Sequence, residues 1–327
     1  MLFGAAFVAV FSFAGLCVAD QGKQGKRVIE LKYSFTVAPG KGATSVWVPY
    51  PPDTAEQRVL KARITQSPSK AELRYDADWG NAMLYFSAPR TDKGYTFTIE
   101  YLIERSEVAV PASKKTSNDK ADARVFEKYL RPSRMAVHND RVRAFARGAA
   151  GSAVTVREKA SGIYDFVLKN MEYSKNIPGW GRGDVNRVCL SVSGGEKGTG
   201  NCTDFHSFFA SLSQVESIPV VFEMGFPLKA GISKPETVEG GYHCWARFYV
   251  EGEGWVPVDI SEASKDASRK EYYFGSIDEN RVLFSRGRDI VLTPPQKGEP
   301  LNYFGPDPYI ELDGVPFKEF KRSITYL

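Results

Sequence analysis

Two alternating runs flank the tetrapeptide Glu251-Gly252-Glu253-Gly254. A glycine-rich turn between such runs closes a β-hairpin, so residues 243–250 and 255–260 are predicted to pair antiparallel. Folding about residue 251 sets position 243 opposite 259, and positions of equal parity share a face of the sheet. A slip of one residue would move Asp259 to the other face. His243, Trp245, Arg247 and Tyr249 occupy one face of the first strand. Aspartate is disfavoured inside strands, so its place in Trp255-Val-Pro-Val-Asp259-Ile260 has two readings: a carboxylate that orients an imidazole, or a strand end turned to solvent.

Upstream, Gly198, Gly200 and Asn201 break the chain just before Cys202. Phe205, Phe208, Phe209, Leu212 and Val215 recur at helical spacing behind it, which predicts a helix starting at Cys202 with the thiol on its buried side. An earlier helix is predicted from Thr155-Val-Arg-Glu158, a capping-box pattern, with Val156, Ala160, Ile163, Val167 and Met171 on one face. Residues 178–184 (PGWGRGD) read as a loop. Strands follow at 220–224, 281–284 and 290–292, so the second part of the chain is α+β, a helix packed on an antiparallel sheet.

The first part is different. Leu31-Lys-Tyr33-Ser-Phe35-Thr-Val37 and Tyr95-Thr-Phe97-Thr-Ile99-Glu-Tyr101 alternate with period two, and turn residues fall between such runs. A small β-sandwich is the expectation. The predicted organisation is an export signal at 1–19, the sandwich at 20–107, a polar, lysine-rich linker at 108–124, and the α+β unit at 125–327.

The chemistry lies in three residues. A thiolate, not a thiol, attacks a carbonyl, and the unpaired N–H groups of a helix start stabilise negative charge. Cys202 is therefore a candidate nucleophile, with a small buried hydrophobe as the plainer reading. His243 would take the thiol proton and return it to a leaving group, and Asp259 would orient the imidazole. They follow in chain order with spacings of 41 and 16 residues. His206, one turn after Cys202, is the competing base; it has no hairpin aspartate beside it, which favours His243.

Here the sequence resembles a known family. Gly200-Asn-Cys-Thr-Asp-Phe-His206, Ser217-Ile-Pro219 and Gly225-Phe-Pro227 look like the cysteine segment of the transglutaminase-like superfamily. Gly241-Tyr-His-Cys-Trp245 and Gly254-Trp-Val-Pro-Val-Asp259 look like its histidine and aspartate segments. The resemblance is nearest to exported bacterial members provisionally described as cysteine proteases, and it extends to Trp47-Val-Pro-Tyr-Pro-Pro-Asp53, Gly287-Arg-Asp289 and Leu301-Asn-Tyr303. It implies a papain/transglutaminase-like core with Cys202 as nucleophile, His243 as base and acid, and Asp259 as orienter. Ser217 departs from the Gly-Ile-Pro common in these proteins. Animal transglutaminases place an upstream tryptophan indole at the oxyanion; Trp180 is a loose match, with loop anchoring as its other reading.

The implied enzyme acts on amide bonds of a protein or peptide, for instance in the cell envelope, through a thioester, and needs no cofactor. Hydrolysis is preferred over transamidation because no acceptor tunnel is visible in the sequence. A catalytically silent core carrying a binding module is the reading from another class. Zinc on Cys202, His206, His243 and Cys244 is disfavoured, since adjacent strand residues point to opposite faces.

Charge and cysteine count bound the rest. Net charge is +4 from 43 basic and 39 acidic residues, mixed along the chain, which gives no case for nucleic-acid or membrane-surface binding. Residues 2–18 are apolar and uncharged, too short for a stable span, with Cys17-Val-Ala19 as a cleavage site. A periplasmic or secreted protein is expected, with no stable membrane span once the signal is removed. Cys189, Cys202 and Cys244 then remain; with Cys202 free, either the other two are bridged or all three are buried thiols.

Overall fold

The computed structural model describes residues 25–39, 42–89, 93–112, 123–238 and 241–327. The predicted signal at 1–19 lies outside the described residues. The first strands are β1 (Lys26–Val37), β2 (Thr44–Pro49), β3 (Gln57–Gln66), β4 (Glu72–Tyr75), β5 (Ala82–Ala88) and β6 (Tyr95–Ser106). The short β7 (Val108–Ala109) precedes helices α1 (Ala123–Leu130), α2 (Asp140–Ala150) and α3 (Val156–Asn170). Then come β8 (Met171–Tyr173), α4 (Val185–Ser193), β9 (Gly198–Gly200), α5 (Cys202–Val215), β10 (Val220–Pro227), β11 (Glu236–Thr237), β12 (His243–Val250) and β13 (Gly254–Val258). The chain finishes with α6 (Ile260–Lys265), β14 (Ser276–Ile277), β15 (Arg281–Arg286), β16 (Tyr309–Leu312), β17 (Val315–Pro316) and β18 (Phe320–Tyr326).

The period-two runs form the predicted sandwich. Ile29, Leu31, Tyr33, Phe35 and Val37 of β1 turn inward while the intervening residues stay more exposed. Its two five-stranded sheets have the orders β11-β18-β1-β6-β3 and β17-β16-β2-β5-β4. Both therefore draw on the far end of the chain: β18 pairs with β1, and β16 with β2. Grouping all of 125–327 in the second unit differs from this topology at 236–237 and 309–326. Strand alternation is legible in a sequence; its partner across almost 300 positions is not. Within the expected linker, β7 pairs with β14, α1 begins at Ala123, and residues 113–122 lie outside the described residues.

The second unit is α+β, as read from the sequence. Its sheet has the order β13-β12-β10-β15, and α5 packs on it. The Thr155–Glu158 capping box closes and starts α3. Of its predicted face Ala160, Ile163, Val167 and Met171 are buried, while Val156, in the first turn, is exposed. Helix α5 has no solvent face over Cys202–Ser213. Burial of Phe205, Phe208, Phe209 and Leu212 stabilises its position by roughly 1.5–3 kcal/mol each, against α2, α3 and the sheet. Ile290 makes one bridge, to Leu301, where a strand was expected.

The seam between the units is apolar where Phe226, Val282 and Phe284 join the sandwich core and polar beside it. The Gln57 side chain acts as a substitute strand: its Nε2 donates to Leu283 O (2.9 Å), and its Oε1 accepts from Leu283 N (2.8 Å). Beside it, fully buried Glu223 accepts from Arg247 Nε (2.9 Å), Arg286 Nε (2.8 Å) and the Trp245 indole, and Arg247 continues to Glu56 of the sandwich.

Candidate active site

Cys202 occupies the first helical position of α5, and its neighbours explain why the helix starts there. Asn201 Oδ1 accepts from Thr203 N (2.9 Å), while Asp204 Oδ2 accepts from Asn201 N (3.0 Å), closing a capping box. Asp204 is fully buried and takes three further donors: Gly181 N (2.7 Å), Gly183 N (3.1 Å) and Arg187 Nη2 (3.0 Å). It thus pins the 179–183 loop to the helix start. Gly200 is required beneath it, because a Cβ there would collide with the Asp204 carboxylate. The Cys202 N–H has no acceptor within the helix and lies at its positive end.

His243 opens β12. Its Nε2–H donates to Asp259 Oδ2 at 2.7 Å, which leaves Nδ1 for proton transfer, and Cys202 lies near enough for the two to interact electrostatically. The structure therefore brings all three sequence candidates together. The register is not the expected one. Ala246 pairs with Val258 and Val250 with Gly254, so the hairpin is centred on residue 252. Pairing ends at Val258, and Asp259 caps α6, its Oδ1 accepting from Glu262 N (3.1 Å) and Ser261 Oγ (3.1 Å). Placing Asp259 in the second strand is thus corrected. The shift equals two residues, so parity, and with it the shared face, is preserved. Asp259-Ile-Ser-Glu262 has the spacing of a helix start, a signal present in the sequence.

His206 has a different role. Its Nε2 accepts the Ile260 N–H at 3.0 Å, so Nδ1 carries the proton and donates to Cys202 O at 2.8 Å. With both nitrogens committed to backbone it is held neutral, and burial lowers its proton affinity. Arg281 was not legible in advance: its Nη1 donates to Asp259 Oδ2 at 2.9 Å.

Burial by itself would hold Cys202 as a thiol. Interaction with the Cys244 thiol and with the His243 cation outweighs it and brings Cys202 well below the usual thiol range. Burial likewise opposes charge on His243, but Asp259 and Cys202 lift it to about 10. Asp259 is buried too, yet His243 and Arg281 hold it well below the ordinary carboxylate range. The resting arrangement these shifts favour is a thiolate–imidazolium pair backed by a carboxylate.

Cys202 is 1% exposed and His243 4%. Phe222, Met224 and Cys244 pack around Cys202, with Tyr242 and Tyr303 over the cluster. The two tyrosine rings lie 5.6 Å apart, and each hydroxyl is 3.4 Å from Gly181 O. Trp180 is outside this cluster; it is exposed, with Lys175 Nζ 5.8 Å from its ring. All three thiols are free, Cys189 lying in the helical core and Cys244 beside Cys202. Among the described residues no group of three or more His, Cys, Asp or Glu side chains is arranged to hold a metal.

Residues 143–260 match the model of the transglutaminase-like superfamily, a span that contains Cys202, His243 and Asp259, so the chain carries a transglutaminase-like core. An uncharacterized protein of Haemophilus influenzae is 28% identical over 322 residues, covering 88% of this chain and 86% of that protein. A crystal structure from Cytophaga hutchinsonii, of a protein provisionally described as a cysteine protease, superposes with a TM-score of 0.57 at 15% identity, covering 94% of this chain and 99% of that one. The periplasmic domain of TgpA from Pseudomonas aeruginosa gives a TM-score of 0.36 at 16% identity over 74% of this chain and 73% of its own. Among the described residues no helix is long and apolar enough to cross a membrane.

Proposed function

We propose that this chain is an exported cysteine-nucleophile enzyme that cleaves amide bonds of a protein or peptide, with Cys202, His243 and Asp259 as its triad. The observation that carries the reading is the buried convergence of a thiol at a helix start with a histidine that donates to a buried aspartate at 2.7 Å. The Cys202 thiolate attacks the amide carbonyl, and the oxyanion accepts the free Cys202 N–H. His243 Nδ1–H protonates the departing amine as the tetrahedral intermediate collapses to a thioester. His243, now neutral, takes a proton from water as it attacks the thioester, releasing the acid and restoring the thiolate. An amine in place of water gives transamidation by the same steps, so the acceptor defines the reaction class. The uncharged stretch at residues 2–18 supports export.

Iodoacetamide labelling of Cys202 across pH, read by intact mass, tests the triad. Because Cys202 is buried, the readout is the pH midpoint and not the absolute rate. The midpoint is expected well below the ordinary thiol value of about 8.5, and His243→Ala is expected to return it there. Substrate turnover is expected to fall as pH rises through about 10, where His243 loses the proton it gives to the leaving group. A wild-type midpoint near 8.5 that ignores His243→Ala would sink the triad. Incorporation of a fluorescent amine into casein in excess of casein hydrolysis would move the reading to transamidation.

A further inference from the structure

We propose that Arg281 is a fourth member of this site, a positioning residue whose charge sets the pH range over which Cys202 and His243 stay ionised. The inference rests on the triad assignment above. Arg281 is buried, and its Nη1 donates at 2.9 Å to Asp259 Oδ2, the same oxygen that accepts from His243 Nε2. Nη2 is directed at Asp278 Oδ2 (3.6 Å), and the guanidinium lies 5.0 Å over the Trp245 ring, which is itself 6.0 Å from the His243 ring.

The register explains how Arg281 reaches Asp259. Arg281 is on β15, separated from β12 by β10. On β10, the residue opposite His243 is Gly225, just after a bulge at Met224/Gly225. That row meets β15 at Leu283, two residues past Arg281, which is itself opposite Pro227, and Gly225 puts no side chain between His243 and this end of β15. A Cβ at Gly225 would collide with Val282 O, so the row is held open by packing as well.

Charge balance gives the contact its consequence. The active ionic form buries a thiolate, an imidazolium and a carboxylate, which leaves one uncompensated negative charge. Burying an unbalanced charge is costly; Arg281 brings the sum over these four buried groups to zero, with Asp278 and Glu262 partly exposed at the margin. Other ionisable groups face Asp259 and His243. His206 on α5 is 3.8 Å from Asp259 Oδ1 but is held neutral, and Glu262 on α6 is 3.9 Å from His243 Nε2 and adds negative charge. Tyr164, Tyr173 and Tyr273 are driven by burial toward the neutral phenol. Removing the Arg281 cation makes the potential at the site more negative. A more negative potential raises the pH at which Cys202 ionises and the pH at which His243 deprotonates, so both limbs of the profile move up together.

The test compares wild type, Arg281→Gln, which keeps an N–H donor without the charge, and Arg281→Lys, which keeps the charge without the fork. Cys202 labelling by iodoacetamide is followed across pH on the full chain, with circular dichroism melting to establish folding. Arg281→Gln is expected to raise the labelling midpoint by about one pH unit or more, and Arg281→Lys to restore it to within a few tenths. A folded Arg281→Gln with the wild-type midpoint would overturn the proposal while leaving the triad intact. An Arg281→Lys midpoint displaced upward by about a unit would also overturn it, even if the glutamine variant failed to fold, because charge would then not be the operative property. A wild-type midpoint already near 8.5 would overturn both this proposal and the triad it rests on.

Discussion

The sandwich core and the polar seam beside it are both buried, and they are held together by opposite means. Between the sandwich sheets Phe97 stacks on Phe35 at 5.4 Å and on Phe86 at 5.2 Å, in a cluster almost wholly apolar. Contacts of that kind depend on area and shape, so a neighbour can shift to refill a small loss. At the seam, Glu223 accepts from three different side chains, and Arg105 lies buried with no hydrogen-bond acceptor for its guanidinium and Glu56 Oε1 3.7 Å away. Each charge there is tolerable only because a particular opposite charge is present. The sandwich can drift in sequence one residue at a time; the seam has to change in pairs.

Three substitutions test this contrast. The largest effect is expected from Glu223→Ala, which removes the buried acceptor shared by Arg247, Arg286 and the Trp245 indole and should cost about 3 kcal/mol in chemical denaturation. A loss below about 1 kcal/mol would erase the distinction between the regions. Ile99→Val, in the sandwich core, removes one methylene and should cost only about 0.5–1.5 kcal/mol, with Cys202 labelling unchanged. Coupled loss of labelling would mean that the sandwich is not the forgiving partner. The smallest effect is a gain. Ser217 follows α5 at φ 62°, a left-handed conformation that costs a side-chain-bearing residue about 1–2 kcal/mol. Ser217→Gly relieves that at an entropic cost of about 0.5–1 kcal/mol, for a net stabilisation of about 0.5 kcal/mol visible as a higher denaturation midpoint. It also accounts physically for the glycine common at this place in similar proteins.

The sequence was most legible where one local rule sufficed. Alternation gave the sandwich strands, the Thr155–Glu158 box gave α3, and parity kept His243 and Asp259 on one face although the hairpin centre was off by one. Helices α2 and α4 leave a weak trace in the sequence because their buried residues are few: Val142, Ala146 and Ala150 in one, Val185, Val188 and Cys189 in the other. Their caps, Asn139 and Asp184, were the available signals. Asp204 was also within reach, three residues after the Asn201 cap. Arg281 was not, since nothing near it in sequence marks it; its role depends on a bulge and a missing side chain on the neighbouring strand. For the same reason the pairing of β16–β18 with the first strands lay beyond local rules.

That last pairing has a consequence for synthesis. A chain made from its N-terminus offers β1 and β2 early, but β18 and β16 exist only after the transglutaminase-like core has been made. Meanwhile those strands carry open edges, the places where chains pair wrongly with one another. The same sandwich cluster includes Phe226 and Phe284 from the sheet that carries His243, so the packing of that sheet on the sandwich is complete only when Ile324 and Tyr326 of β18 are in place. The nested topology therefore works as a timer, leaving the sandwich unfinished until every strand of the intervening core has been made.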